Sequence, residues 1–243
     1  MAKILNLNKI LLEENKMYFL SSICMVLLLS LLYFRFSNIS TDSKEILIDW
    51  MGGSAEQSYS FSILVLKMSF ISIIFIYLGR IIDELRSNLL YFLAPRLGNV
   101  KNVIISFILP VLLHGILLVI IFEVAFLIAL VINIHDCKAL INITYGFISY
   151  IIIECISMAG VILIYLIMEL VFAVNNAILI IIALYLVNSI VPYNIPIAIF
   201  TSKLGDMYCN GKIIQFGFYI FISTIVIAFI FKCLIDKREV KLC

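Results

Sequence analysis

The sequence predicts an all-α integral membrane protein with six transmembrane helices and an interfacial amphipathic helix at the N-terminus. Three observations predict it. Hydrophobic residues make up 64% of the 243 and charged residues 13%, with a mean hydropathy of +1.19. A soluble domain carries about 25% charged and about 45–50% apolar residues, so polar side chains here are too few to cover a globule of this size. Six apolar runs recur along the chain, at 17–34, 61–78, 103–134, 143–172, 177–191 and 216–234. No run alternates with period two, so a β-barrel is not expected.

The residues before the first run form a separate element, 1–16. Ile4, Leu7 and Leu11 recur at i, i+3 and i+7, with Asn8, Lys9, Glu13 and Lys16 on other faces. That pattern predicts an amphipathic helix lying in the membrane interface. The first run follows Lys3, Lys9 and Lys16, as a signal peptide would, but it ends in Arg35-Phe36-Ser37-Asn38 without a small-x-small cleavage site. It is therefore read as a retained first span.

A span needs roughly 20 residues at 1.5 Å rise to cross roughly 30 Å of hydrocarbon. The third and fourth runs are longer than one perpendicular span and shorter than two, which predicts long, tilted, protruding helices. The fifth is short before Pro192 and Pro196. The stretch 192–212, with Gly205 and Gly211 as well, is too apolar for an ordinary loop and too broken for a span. It is read as a re-entrant or interfacial hairpin. The loop at 37–60 is polar, with Asp42, Glu45, Asp49 and Glu56 and a turn at Gly52-Gly53. Residues 17–243 thus form one transmembrane domain.

Lys and Arg orient it. With the N-terminus inside, Lys3, Lys9, Lys16, Arg80, Arg86, Arg96, Lys101, Lys232, Lys237, Arg238 and Lys241 lie in cytoplasmic segments. Arg35, Lys44, Lys138, Lys203 and Lys212 lie outside. The positive-inside rule then puts both termini in the cytoplasm. The net charge of +2 is scattered between apolar runs, so nucleic acid is not an expected partner. Among the six cysteines there is no C-x-x-C pair or zinc spacing, so neither a metal nor a cofactor is expected. Cys137 and Cys209 both fall in external segments, as unpaired thiols or, alternatively, as a disulfide. Richness in Ile, Asn and Lys hints at a low-GC bacterial source.

The loop at 79–102 carries the strongest functional signal. Ile82, Leu85, Leu89 and Phe92 lie at i, i+3, i+7 and i+10, one helical face, with Asp83, Arg86 and Ser87 away from it. Pro95 stops the helix, and Gly98 allows the turn into the third span. Such a helix can act as a lever for a soluble partner, or simply anchor the chain between two spans.

This layout resembles the ABC-2 type permease subunits of ATP-binding-cassette exporters. The shared features are six spans, both termini inside, an N-terminal amphipathic helix and a polar first external loop. A charged helix ending Leu-x-Pro-Arg-Leu-Gly-x-x-Lys and a broken hairpin before the last span complete the likeness. The small size is most similar to permeases of bacteriocin or lantibiotic export and self-immunity. The resemblance implies that the helix after span two is a coupling helix docking on a separately encoded ATPase. It makes Asp83, Glu84, Leu85, Arg86, Leu89, Tyr91 and Arg96 contact candidates. It also implies a second membrane half, either another copy or a sister permease. The chain has no G-x-x-x-x-G-K-[ST] run, so ATP hydrolysis is expected in the partner and this chain is not expected to be an enzyme.

Charged residues at membrane depth are costly, roughly 2.5–3.5 kcal/mol at a span centre, and so mark candidate sites. Lys67 lies close to the start of its run and is expected to snorkel outward. Glu169 is expected to reach the interface, and His114 to satisfy a kink after Pro110. Glu123 and Glu154 lie deeper. Each is protonated, faces a cavity or pairs with Lys67, and these two are the candidates for the substrate path. An intramembrane protease is disfavoured, since the histidines are only His114 and His135 and no Asp lies mid-span. A channel or a structural membrane protein without an ATPase partner is the rival reading.

Overall fold

The computed structural model describes residues 13–36, 43–51, 61–84, 100–133, 137–171, 174–190 and 211–242. Among these residues the chain is all-helical, with seven helices and no strand. They are α1 (Lys16–Phe36), α2 (Ser43–Trp50), α3 (Phe61–Glu84), α4 (Val100–Asn133), α5 (Cys137–Val171), α6 (Val174–Ile190) and α7 (Ile213–Leu242).

Four helices are long and apolar enough to cross a membrane, at Ile63–Glu84, Ile108–Ile132, Gly146–Glu169 and Ile213–Leu234. The first and fifth runs give shorter apolar helices, Lys16–Leu32 and Asn176–Asn188. The third and fourth runs each form one continuous helix, of 34 and 35 residues. At 1.5 Å per residue each is roughly 50 Å long, well beyond the hydrocarbon thickness. Pro110 sits inside α4 without ending it. The amphipathic segment up to residue 12, the coupling positions Leu85, Arg86, Leu89, Tyr91 and Arg96, and 192–210 lie outside the described residues. So do Cys209 and the side chain of Cys137. The hairpin's last residues are described: Gly211 takes φ 65°, a left-handed turn that favours glycine, directly before α7.

Helices α3, α4 and α5 form the centre. α3 packs on α1, α4 and α6, while α5 packs on α2, α4, α6 and α7. Small residues set the close approaches. Ser22, Val26 and Ser30 make a buried stripe at i, i+4 and i+8 on α1. The Ser30 hydroxyl is shared between the carbonyls of Val26 at 3.1 Å and Phe122 of α4 at 3.2 Å. In an apolar surrounding, such small polar residues let helix backbones approach and give them a hydrogen bond to share. On the other side, Thr224 Oγ1 of α7 is shared between Ile220 O at 2.9 Å and Ile156 O of α5 at 3.3 Å. A Cβ on Gly217 would stand 3.1 Å from Ile153, so α7 lies close against α5 there. The rest of α7 presents Ile214, Phe218, Tyr219 and Phe229 outward, each at least 64% exposed. An apolar surface of that kind is compatible with lipid rather than water as its solvent.

α2 departs from the sequence reading. The segment 37–60 reads as a polar external loop, yet Leu47, Trp50 and Met51 are fully buried. Its apolar residues turn inward from a short helix whose polar neighbours mask them in composition. α2 thus inserts into one end of the bundle, against α5.

Candidate functional site

Beneath α2 lies a buried polar cluster built from five helices. Trp50 of α2 stacks on Phe126 of α4, with 3.8 Å between centroids and 8° between planes, and tilts against Phe122 at 5.0 Å. Its Nε1 donates to Glu123 Oε2 at 2.8 Å. From α3, Lys67 Nζ donates to the Tyr150 hydroxyl of α5 at 2.7 Å. The same ammonium lies 5.7 Å from the Trp50 ring centroid and 5.2 Å from that of Tyr150. Both distances are within cation–π range, and such contacts strengthen when desolvated.

Helical spacing explains the convergence. Phe147, Tyr150 and Glu154 recur at i, i+3 and i+7 on α5, all facing inward. Phe122, Glu123 and Phe126, at i, i+1 and i+4 on α4, are likewise buried, and Phe122 stacks on Phe70 of α3 at 3.9 Å. The Tyr150 hydroxyl is also within hydrogen-bonding reach of Glu123 and Glu154, and Tyr185 of α6 stands beside it. Lys67 is 3% exposed, Glu123 0% and Glu154 8%, so all three are withdrawn from the surface. Glu123 Oε1 and Glu154 Oε2 have no hydrogen-bond partner among the described residues.

These positions correct one expectation and narrow another. Lys67 does not snorkel outward. Its ammonium is held by the Tyr150 hydroxyl and lies over the Trp50 ring, where its charge acts on Glu123. Glu123 and Glu154 share one buried cluster with Lys67, whose charge acts on Glu123. Glu169 is buried at 5% exposure, at the end of the apolar stretch Gly146–Glu169.

A second polar group lies toward the other end of α3. Asn15 Nδ2 donates to Glu84 Oε2, and the Arg80 guanidinium stacks over the Tyr18 ring at 3.5 Å. Tyr77 and His114 are each 3% exposed, with ring centroids 5.9 Å apart. His114 also faces Phe19, and neither its Nδ1 nor the Tyr77 hydroxyl has a hydrogen-bond partner among the described residues. His114 thus sits in an aromatic cage one turn beyond Pro110. Of the coupling candidates, Asp83 is exposed at the end of α3, while Glu84 is turned toward Asn15. Among the described residues no group of three His, Cys, Asp or Glu side chains is arranged to hold a metal ion.

Sequence reading missed Trp50 and Tyr150. Trp50 is the sole tryptophan of the chain. Its spacing with Leu47 and Met51 carries a helical face in an otherwise polar loop, and that signal was available. Tyr150 stands one turn before Glu154, a spacing that allows their contact without requiring it.

Comparison with protein-family models, with curated proteins and with solved structures found no match of any of the three kinds.

Proposed function

We propose that this chain is the membrane-spanning permease subunit of an ABC-2 type exporter, driven by a separate ATPase subunit. In this reading it sits in a bacterial plasma membrane as a six-span protein, with α1 and α6 completing the four long spans and both termini in the cytoplasm. It works as a pair with a second copy or a sister permease, and it moves a peptide or other amphiphilic substrate in export or self-immunity.

The observation that carries the reading is the continuity of α3. One unbroken helix of 24 residues joins Lys67, inside the buried cluster, to Asp83 and Glu84, where the coupling segment begins. Lys67 and Glu84 are separated by roughly 25 Å of rigid rod at 1.5 Å per residue. The Asn15–Glu84 hydrogen bond and the Arg80–Tyr18 stack clamp the far end of that rod to α1. A push on the coupling segment is therefore delivered to the interior as helix displacement, the kind of small shift that repacks a close-packed core.

The burial of Lys67, Glu123 and Glu154, none above 8% exposed, favours a gated path over a standing pore, which supports a permease over the rival channel. In this reading Glu123 and Glu154 line the substrate path. The test is a transport or resistance assay on Glu123→Gln and Glu154→Gln. The proposal expects export to fall in both variants while the protein stays in the membrane, and unchanged export in both ends the assignment of the path.

A further inference from the structure

Among the described residues, the cluster around Lys67 does not balance its own charge. It holds one ammonium, from Lys67, and two carboxylates, from Glu123 and Glu154. The charges acting on Glu123 are those same two partners, Glu154 and Lys67. The other neighbours among the described residues are Trp50 from α2, Tyr150 and Cys155 from α5 and Tyr185 from α6, all uncharged in their ordinary states. Fully ionised, the cluster carries a net charge of minus one at 0–8% exposure, where an uncompensated charge is strongly unfavourable. One further positive charge would balance these described groups.

The available donors decide what that charge is. A metal cation of the alkali or alkaline-earth kind needs about six oxygens. Among the described residues the cluster offers two oxygens without a partner, Glu123 Oε1 and Glu154 Oε2. The Tyr150 hydroxyl is engaged by Lys67, and Glu123 Oε2 by Trp50. Two oxygens do not make a metal shell. They do suit a proton, which converts one carboxylate into a donor and leaves the other as an acceptor.

We propose that Glu123 and Glu154 form a proton-binding site that holds one exchangeable proton between them, with Lys67 neutralising the second carboxylate. The step is a simple uptake: a proton from water adds to one carboxylate oxygen, and the cluster becomes neutral. Trp50 is both the neighbour of this site and the only indole in the chain, so its emission reports the site directly.

The test uses the full-length protein in lipid nanodiscs, without any ATPase, so its outcome is independent of the exporter reading. Infrared difference spectra against wild type count protonated carboxyl groups by the C=O band that shifts in heavy water. Glu123→Gln and Glu154→Gln are each expected to lose one such group, and Lys67→Met to gain one. Should Lys67→Met fail to fold, the two near-isosteric glutamine variants suffice. Trp50 emission is expected to show a titration step in wild type that is absent in Glu123→Gln. An unchanged carboxyl count in both glutamine variants overturns the proposal. So does a Trp50 signal that follows sodium or potassium chloride, but not choline chloride, at fixed pH, since a metal cation would then be the ligand.

Discussion

The Trp50 indole lies flat on Phe126 while its N–H points at Glu123, so one side chain both plugs the end of the bundle and supplies a hydrogen bond to a buried carboxylate. Those two functions separate by mutation. Trp50→Phe keeps an aromatic plate and removes the donor, leaving a buried acceptor unsatisfied at a cost of about 1–3 kcal/mol. Trp50→Ala also opens a cavity and costs about 3–5 kcal/mol. Unfolding in graded denaturing detergent, followed by circular dichroism, measures both. Equal losses in the two variants would assign the whole contribution to the hydrogen bond.

Lys67 and Glu123 lie in one buried cluster, where the charge of Lys67 acts on Glu123. Removing the cation alone, in Lys67→Met, leaves two buried carboxyl groups with no countercharge for the ionised one and is expected to destabilise by about 3–5 kcal/mol. Adding Glu123→Gln to that variant removes one of them. The double variant should therefore be more stable than the sum of the two single losses allows, by about 0.5–3 kcal/mol. A double-mutant cycle on thermal unfolding reads the difference, and strict additivity would mean the two side chains do not interact.

Gly115 allows α4 to approach α5. A Cβ there would fall 2.3 Å from the Ile162 Cδ1 and 3.4 Å from Leu78 Cδ1. Gly115→Ala forces Ile162 out of place, an overpacking loss of about 1–3 kcal/mol offset in part by the better helix propensity of alanine. Ile162→Val removes the offending Cδ1, so it should restore packing in the Gly115→Ala background while costing about 0.5–1.5 kcal/mol alone. Melting temperatures of the three variants test this reciprocal pattern.

The hydrogen bond from Asn15 to Glu84 fixes the N-terminal end of α1 to the far end of α3. Asn15→Asp places two carboxylates in contact and should loosen that junction, raising the rate of protease cleavage near Lys16. Glu84→Gln keeps a hydrogen-bonding partner and should leave the cleavage rate near wild type. Limited proteolysis with mass-spectrometric mapping of the cut sites distinguishes them.

The membrane character and the long helices α4 and α5 are legible in the sequence because each rests on a single additive property, apolar residues in a row. Glu123 and Glu154 stand out for the same reason, as charges in apolar surroundings. Their partners do not. Lys67 reads as an outward-snorkelling residue because its distance from Ser60 is local information, whereas its bond to Tyr150 spans 83 positions. Trp50 is hidden because α2 buries one face of a short helix whose average composition is that of a loop. In both cases the decisive term is a tertiary contact, which periodicity along one segment does not encode.

The central claim is that this chain is moved by an ATPase docked on the segment after α3. Its most direct test is affinity purification of the full-length protein from its native membrane, in mild detergent, followed by assay of the eluate for ATP hydrolysis. The permease reading predicts a co-purifying ATP-hydrolysing subunit that is lost in Arg86→Glu and Leu89→Asp, with Trp50 emission unchanged in both. Purification without an ATPase, or a complex that survives both substitutions, would contradict it.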